Sequence, residues 1–288
     1  MQQEPPISGQ RVIVVAAHPD DETIGAGGAL PLASEVIFVH LTDGASRDLQ
    51  EAQAKGFASW VEYAAARRQE FQNALQAGGI VPVACVDLGY PDQEASLHMP
   101  EIVHGLMRLL TRSRFDLILV HPYEGGHPDH DAAAFAAQSA VKLLTERSSP
   151  RRVEFTSYHS RHGRLEAGMF LPNGSREMVY RLGPEERARK VRMLACYQSQ
   201  QEVLRQSPVE EERFRTAPDY DFARPPHEGR LYYELFPWGM TGAHWLALAE
   251  AAEKQLGLCG PPPGMAPNAA SPPVDSEWQA ACTNILSC

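Results

Sequence analysis

The sequence predicts an α/β fold, with a mostly parallel, Rossmann-like sheet, helices on both faces and an irregular C-terminal portion. Three observations carry this reading. Short apolar runs rich in Val, Ile and Leu recur at 12–17, 36–42, 83–88 and 115–121. Segments with apolar residues three or four apart separate them, as helices between strands require. Clusters of ionisable residues follow the first and fourth runs; the carboxyl edge of an open parallel sheet is where such folds bind ligands.

Composition narrows the class. With 288 residues, 43% hydrophobic, the chain suits one large domain or one domain with an appendage. The net charge of −10 argues against nucleic acid or an anionic membrane as partner. The start, MQQEPPISGQ, has neither a basic stretch nor an apolar core, so no signal peptide is expected. No apolar run approaches the roughly 20 residues of a membrane helix. The five cysteines form no C-x-x-C pair and predict neither a disulfide framework nor a cysteine zinc site. The expectation is a soluble, cytoplasmic protein, with its oligomeric state open.

In chain order, 1–10 is an extension and 12–17 a strand buried on both faces, ending in His18-Pro19-Asp20-Asp21-Glu22. Residues 23–32 read as a helix with Gly25, Gly27 and Gly28 near its start. This G-x-G-G invites a dinucleotide-binding reading but lacks the third glycine of the fingerprint, and helix–sheet packing is the better account. The second strand, 36–42, ends in Asp43-Gly44, either a turn or a carboxylate facing the first cluster. A helix at 57–77 stops at Gly78-Gly79, its Arg67 and Glu70 spaced as a solvated pair. The strand at 83–88 leads into a turn that places Asp92 at the sheet edge, and a helix follows at 98–110.

The fourth strand, 115–121, runs into HPYEGGHPDHD, where His127-Pro128-Asp129-His130 opens an Ala-rich helix. One aspartate there reads as a helix cap; two histidines three apart after a second parallel strand do not. A fifth strand is expected at 153–158. A helix at 184–200 carries Arg187, Arg189, Lys190 and Arg192, read as a solvated face. Between 207 and 239 the pattern is irregular and rich in aromatics, among them Tyr220, Phe222, Tyr232, Tyr233, Phe236 and Trp238. Packing is favoured over a pocket rim for these. A last helix spans 241–256. Thus 11–258 forms the domain, with a core at 11–200 and a pocket rim or subdomain at 201–258. Residues 259–288 form a tail without a fixed fold, six of the 23 prolines falling between 261 and 273.

Parallel topology brings both clusters to one edge, where so many ionisable groups need a neutraliser; a bound cation is the simplest. His18, Asp21 and His130 make a His₂Asp set suited to a catalytic zinc, which leaves a position for water. Asp20 could take that water's proton, while His127 stabilises the oxyanion and protonates a leaving nitrogen. Asp129 could orient His127. Spacing alone does not divide ligand from base between Asp20 and Asp21.

The pair AHPDDE (17–22) and GHPDH (126–130) resembles the PIG-L/LmbE-like family of zinc-dependent N-deacetylases. The resemblance runs from about 12 to 200 and takes in the TDG turn (42–44), Arg67 and Glu70, LGYPD (88–92) and YQSQ (197–200). It implies an LmbE-like fold and hydrolysis of an N-acetyl group from an N-acetylglucosamine-type sugar or its conjugate. It implies His18, Asp21 and His130 as ligands of Zn²⁺ or another divalent ion such as Fe²⁺, Asp20 as base, and His127 as acid oriented by Asp129. Arg67 and Asp92 would contact sugar hydroxyls. Some members carry a tyrosine two residues before the first histidine of the second motif; Gly125 stands there, and Tyr123 is a possible substitute. The alternatives are an amidase of a thiol-sugar conjugate, a Rossmann nucleotide-binding protein and a catalytically idle sugar-binding module.

Overall fold

Strand β1 (Arg11–Ala16) is buried at every position after Arg11, as a strand covered on both faces must be. It sits near the middle of a seven-stranded sheet in a computed structural model that describes residues 4–144, 149–205 and 207–258. After it come α1 (Asp21–Ala26), β2 (Glu35–Thr42), α2 (Leu49–Ala54), α3 (Trp60–Gly78), β3 (Ala84–Tyr90), α4 (Met99–Arg112), β4 (Leu117–Val120) and α5 (Pro128–Leu143). The chain continues through β5 (Arg151–Phe155), β6 (Tyr158–Arg161), β7 (Arg164–Ala167), β8 (Glu177–Arg181), α6 (Pro184–Leu194), α7 (Gln201–Leu204), β9 (Glu211–Thr216) and α8 (Gly242–Gln255).

The sheet order is β3-β2-β1-β4-β5-β9-β8. Strands β3 to β5 are parallel, and β9 and β8 add antiparallel to one edge. The expected α/β architecture is therefore observed. Alternate residues of β1 feed two cores. Ile13 and Val15 pack with Ile102 and Leu106 of α4, the alanines of α5 and Trp245 of α8. Val12, Val14 and Ala16 pack with Phe71 and Ala74 of α3 and Met193 of α6. The chain leaves β1 toward β2 on one side, and β4 lies on the other, so the order reverses between β1 and β4. Open α/β sheets bind ligands in the crevice at such a switch point, and both ionisable clusters follow these two strands.

Several expectations are corrected. The first helix ends at Ala26, not 32, because the Glu212 carboxylate accepts the Gly28 and Ala29 N–H groups at 2.7 and 3.0 Å. The same contact occupies the backbone donors that a dinucleotide phosphate would need. The glycines serve packing: a Cβ on Gly25 would lie 2.0 Å from the Phe155 ring, and one on Gly28 2.5 Å from Leu182. Lys190, read as part of a solvated face, is fully buried against Glu212. The irregular stretch after 200 contains β9, a member of the main sheet. Cys196 is free. Residues 259–288, expected to be a tail, lie outside the described residues. No described helix is long and apolar enough to cross a membrane.

Candidate active site

Where β1 ends, the chain turns through Pro19 and Asp20 into α1, and His18 and Asp21 face each other across that turn. Asp21 Oδ2 accepts the His18 backbone N–H at 2.8 Å and lies 3.2 Å from His18 Nδ1. From the second motif, His130 in the first turn of α5 brings Nε2 to 3.3 Å from Asp21 Oδ1. The topology thus joins His18, Asp21 and His130, all at least 90% buried.

The tautomers suit a cation. His18 Nε2 lies 2.8 Å from Asp92 Oδ1, so a proton shared there leaves the Nδ1 lone pair toward Asp21. His130 Nδ1 lies 3.1 Å from the Ser157 hydroxyl, and His130 Nε2 is buried without a hydrogen-bond partner. With its proton on Nδ1, toward Ser157, this ring presents an Nε2 lone pair to the Asp21 carboxylate, an arrangement that a cation between them would satisfy. Two zinc ligands with bonds of about 2.0–2.2 Å at tetrahedral angles stand roughly 3.3–3.6 Å apart, and Asp21 lies close to that spacing from each histidine. His121, at the end of β4, stacks on His130 with ring centroids 4.0 Å apart and places Nε2 3.2 Å from Asp21 Oδ2. It belongs to a possible ligand group with Asp21 and His130, but its Nε2 accepts the Ala17 N–H at 3.2 Å. That lone pair is already engaged.

Electrostatics follow from the crowding. Burial alone would raise Asp21, yet His130, His121 and His18 hold it well below the usual carboxylate range. Burial opposes a charged His18, but Asp92 and Asp21 flank it and raise its pKa well above the ordinary value. Burial drives His127 and His130 down to about 3, with His18 and His121 respectively adding repulsion. Asp20 is raised by burial despite the Arg67 guanidinium, whose Nη1 donates to Asp20 Oδ2 at 3.2 Å.

His127 caps α5: its Nδ1 accepts the Asp129 N–H at 3.2 Å. Neutral His127 therefore carries its proton on Nε2, on the side of Asp92 3.6 Å away. Asp129 reaches His127 through its backbone; its carboxylate stands 3.8 Å from Nδ1 and instead accepts the Gln93 and Ala95 N–H groups at 2.7 and 3.0 Å. It thereby fixes the turn that carries Asp92. Arg67 and Asp92 both line the cavity, yet each already holds another site residue, Asp20 and His18 respectively. Arg67 Nε is without a partner.

The remaining motif residues brace this arrangement. Glu22 turns inward to Tyr197 and His40, its oxygens 2.9 and 3.1 Å from their polar atoms. Glu70 accepts the Ser199 N–H and hydroxyl, both at 2.7 Å, fixing the YQSQ turn. Asp43 caps its own turn through Ala45 and Arg47. Gly44 is required: its φ is +69°, and a Cβ would meet Arg67 Nε at 2.7 Å. Tyr123 does not reach the site; its hydroxyl donates to the Arg224 carbonyl and its ring packs on Trp245.

Sequence reasoning missed Ser157 and Tyr158 as site residues. The expected strand ran through both, whereas β5 ends at Phe155 and places 156–158 at the sheet's carboxyl edge. The Tyr158 ring stands 5.2 Å from that of His130 and lines the cavity. A Cβ on Gly126 would strike the Tyr158 carbonyl at 1.9 Å, so the second motif needs glycine there. The aromatics divide between both readings. Tyr220, Phe222 and Tyr233 pack inside, while Tyr232, Phe236 and Trp238 line pockets.

Residues 13–141 match the family model described as PIG-L: GlcNAc-PI de-N-acetylase. A diacetylchitobiose deacetylase of Thermococcus kodakarensis is 29% identical over 142 residues, covering 46% of this chain and 50% of the relative. A probable N-acetyl-alpha-D-glucosaminyl L-malate deacetylase 2 of Bacillus cereus is 27% identical over 147 residues, 49% of this chain and 65% of that one. The chain thus spans half to two thirds of the length of these relatives. Among solved structures, a deacetylase of the teicoplanin biosynthesis pathway superposes with a TM-score of 0.56 at 17% identity, covering 73% of this chain and 100% of that one. The N,N'-diacetylchitobiose deacetylase of Pyrococcus horikoshii gives 0.53 at 22%, covering 76% and 87%. At these identities the structural likeness speaks for the fold. The match at 13–141, just under half of the chain, carries both histidine motifs and makes this segment similar to the PIG-L family.

Proposed function

We propose that the chain is a zinc-dependent hydrolase that removes an N-acyl group from an N-acetylglucosamine-type amino sugar or its conjugate. The observation that carries the reading is the convergence of His18 Nδ1, the Asp21 carboxylate and the partnerless His130 Nε2, with Asp20 and His127 in the same cavity. The relatives' names, both deacetylases of N-acetylated sugars, support it.

His18, Asp21 and His130 would hold the ion, and two nitrogens with a carboxylate suit zinc. When bound, a divalent cation polarises the amide carbonyl and acidifies water. Asp20, held by Arg67, takes a proton from the attacking water as the new C–O bond forms. His127 Nε2–H donates toward the oxygen that gains charge, and the Tyr158 hydroxyl serves as a second donor in place of the tyrosine absent at Gly125. Asp20 then delivers the proton it took to the nitrogen as the C–N bond breaks, giving free amine and carboxylate, while neutral His127 keeps its Nε2–H on the oxygen. Asp129 holds His127 through its backbone N–H. Arg67 Nε and Asp92 offer contacts to sugar hydroxyls.

The test is amine release from a panel of N-acetylated sugars by the zinc-loaded protein. Activity on at least one is expected. Asp20→Asn should lower kcat by about 10²–10⁴-fold with zinc content unchanged, and His130→Ala should lose the zinc. No release from any sugar with metal saturating, or wild-type turnover by Asp20→Asn, would overturn the reading.

A further inference from the structure

A second cavity of about 440 Å³ adjoins the catalytic one, which measures about 170 Å³. The two share Ile24, Tyr158, Val203 and Trp238 as walls. Their linings differ in chemistry. The far side of the catalytic cavity is polar, with Glu51, Lys55, Tyr63, Arg67 and Gln200 contributed by α2, α3 and the YQSQ turn. The second cavity, partly open to solvent, is walled by Leu165 and Ala167 of β7, Pro208, Tyr232 and Phe236, with Ser157, Glu202 and Ser207 as its polar members. Its size falls within the roughly 300–1,000 Å³ of ordinary ligand sites.

An amide has two substituents, and in the trans form they point in opposite directions from the C–N bond. With the carbonyl at the His18–Asp21–His130 cluster and the sugar among the polar side chains, the acyl carbon points toward the shared apolar wall. An acetyl methyl would end there and leave the second cavity unused. We propose that this cavity receives the acyl chain of the substrate, so that the preferred N-acyl group is an aliphatic chain of about six to eight carbons rather than acetyl. The proposal rests on the hydrolase reading above. The reaction is unchanged: water adds to the acyl carbon, the C–N bond breaks, the nitrogen takes a proton, and a fatty carboxylate leaves with the amino sugar.

The experiment compares N-acetyl-, N-butanoyl-, N-hexanoyl- and N-octanoylglucosamine, together with the octyl glycoside of N-acetylglucosamine, on the zinc-loaded full chain. Burial of each methylene corresponds to about fourfold in kcat/KM, so a rise of at least tenfold from acetyl to octanoyl is expected. Ala167→Trp, which fills the cavity, should remove most of that rise and leave the acetyl rate within about twofold. Leu165→Glu, on the exposed β6–β7 hairpin, is the second variant should the first fail to fold. Acetyl as the fastest group, or a gain produced by the octyl glycoside instead of the octanoyl chain, would overturn the proposal. Hydrolysis of acetyl without a chain-length gain defeats this inference alone. If no compound is hydrolysed, the hydrolase reading fails, and Trp238 fluorescence titrated with the same compounds decides the cavity's role. Tighter binding of the octanoyl compound, lost in Ala167→Trp, supports it, and equal binding defeats it.

Discussion

The Lys190 ammonium and the Glu212 carboxylate meet at 2.8 Å with both side chains fully buried. Lys190 also donates to the Ile24 carbonyl at 2.8 Å, and Glu212 receives the Gly28 and Ala29 N–H groups. The pair therefore ties α6 and β9 to the end of α1, the helix that carries Asp21. Removing one partner leaves a buried charge uncompensated, which costs about 3–5 kcal/mol. Lys190→Met is expected to lose that much in urea unfolding, against less than about 0.5 kcal/mol for a substitution at an exposed position such as Val81. Equal midpoints for the two variants would refute the bracing role.

Arg67 is the second buried cation, and its partner is the proposed base. It is 3% exposed and donates to Asp20 at 3.2 Å. Lysine at this position keeps a charge but loses the planar fork that reaches both Asp20 and the cavity. Arg67→Lys should reduce kcat by roughly tenfold or more, since misplacing a general base forfeits part of its 10²–10⁴-fold contribution. Zinc content measured on the same preparation should stay stoichiometric. A variant with wild-type kcat would mean that Arg67 does not position Asp20.

The parallel core was legible because its central strands β1, β2 and β4 are largely buried and carry almost no charge. Strand β9 was not, because its sequence Glu211-Glu212-Arg213-Phe214-Arg215-Thr216 has one apolar residue. Its inward-facing charges, Glu212 and Arg215, are neutralised by Lys190, Glu154 and Glu124, partners that no local pattern discloses. The site divides similarly. His18, Asp21 and His130 stand in dense motifs. Ser157 and Tyr158 lie between β5 and β6 in no dense motif, and only the position of β5 beside β4 brings them to the edge.

The contact between Ser157 and His130 makes its own prediction. A hydroxyl 3.1 Å from His130 Nδ1 fixes the ring so that Nε2 faces Asp21. Loss of such a partner behind a metal-binding histidine typically costs 10–100-fold in metal affinity. Ser157→Ala should therefore weaken zinc binding by about tenfold or more in a chelator competition, with the thermal unfolding midpoint of the metal-free protein little changed. Ser157→Thr, which retains the hydroxyl, should restore much of the affinity. Identical zinc affinity in Ser157→Ala and wild type would show the ring is held by its packing against His121.

Glu154 gives stability a pH dependence of its own. It is fully buried, accepts from Arg215 Nε and the Tyr220 hydroxyl at 2.6 Å each, and shares the guanidinium with Glu124, itself 3.3 Å from His159. Burial pushes the Glu154 carboxyl up to about 7, with Arg215 and Tyr220 opposing and Glu124 adding repulsion. The folded state thus holds this proton more tightly than the unfolded chain, whose glutamate titrates near 4.3. The stability contributed is complete below that unfolded value and is lost as pH rises through about 7. Its size is on the order of 3 kcal/mol. Glu154→Gln, neutral throughout, should flatten the fall in unfolding free energy between about pH 4.5 and 7.5, read from urea titrations across that window. The histidines and carboxylates of the catalytic cavity titrate equally in wild type and variant, so the difference between the two curves isolates Glu154. Parallel curves would show that Glu154 stays ionised against Arg215 throughout.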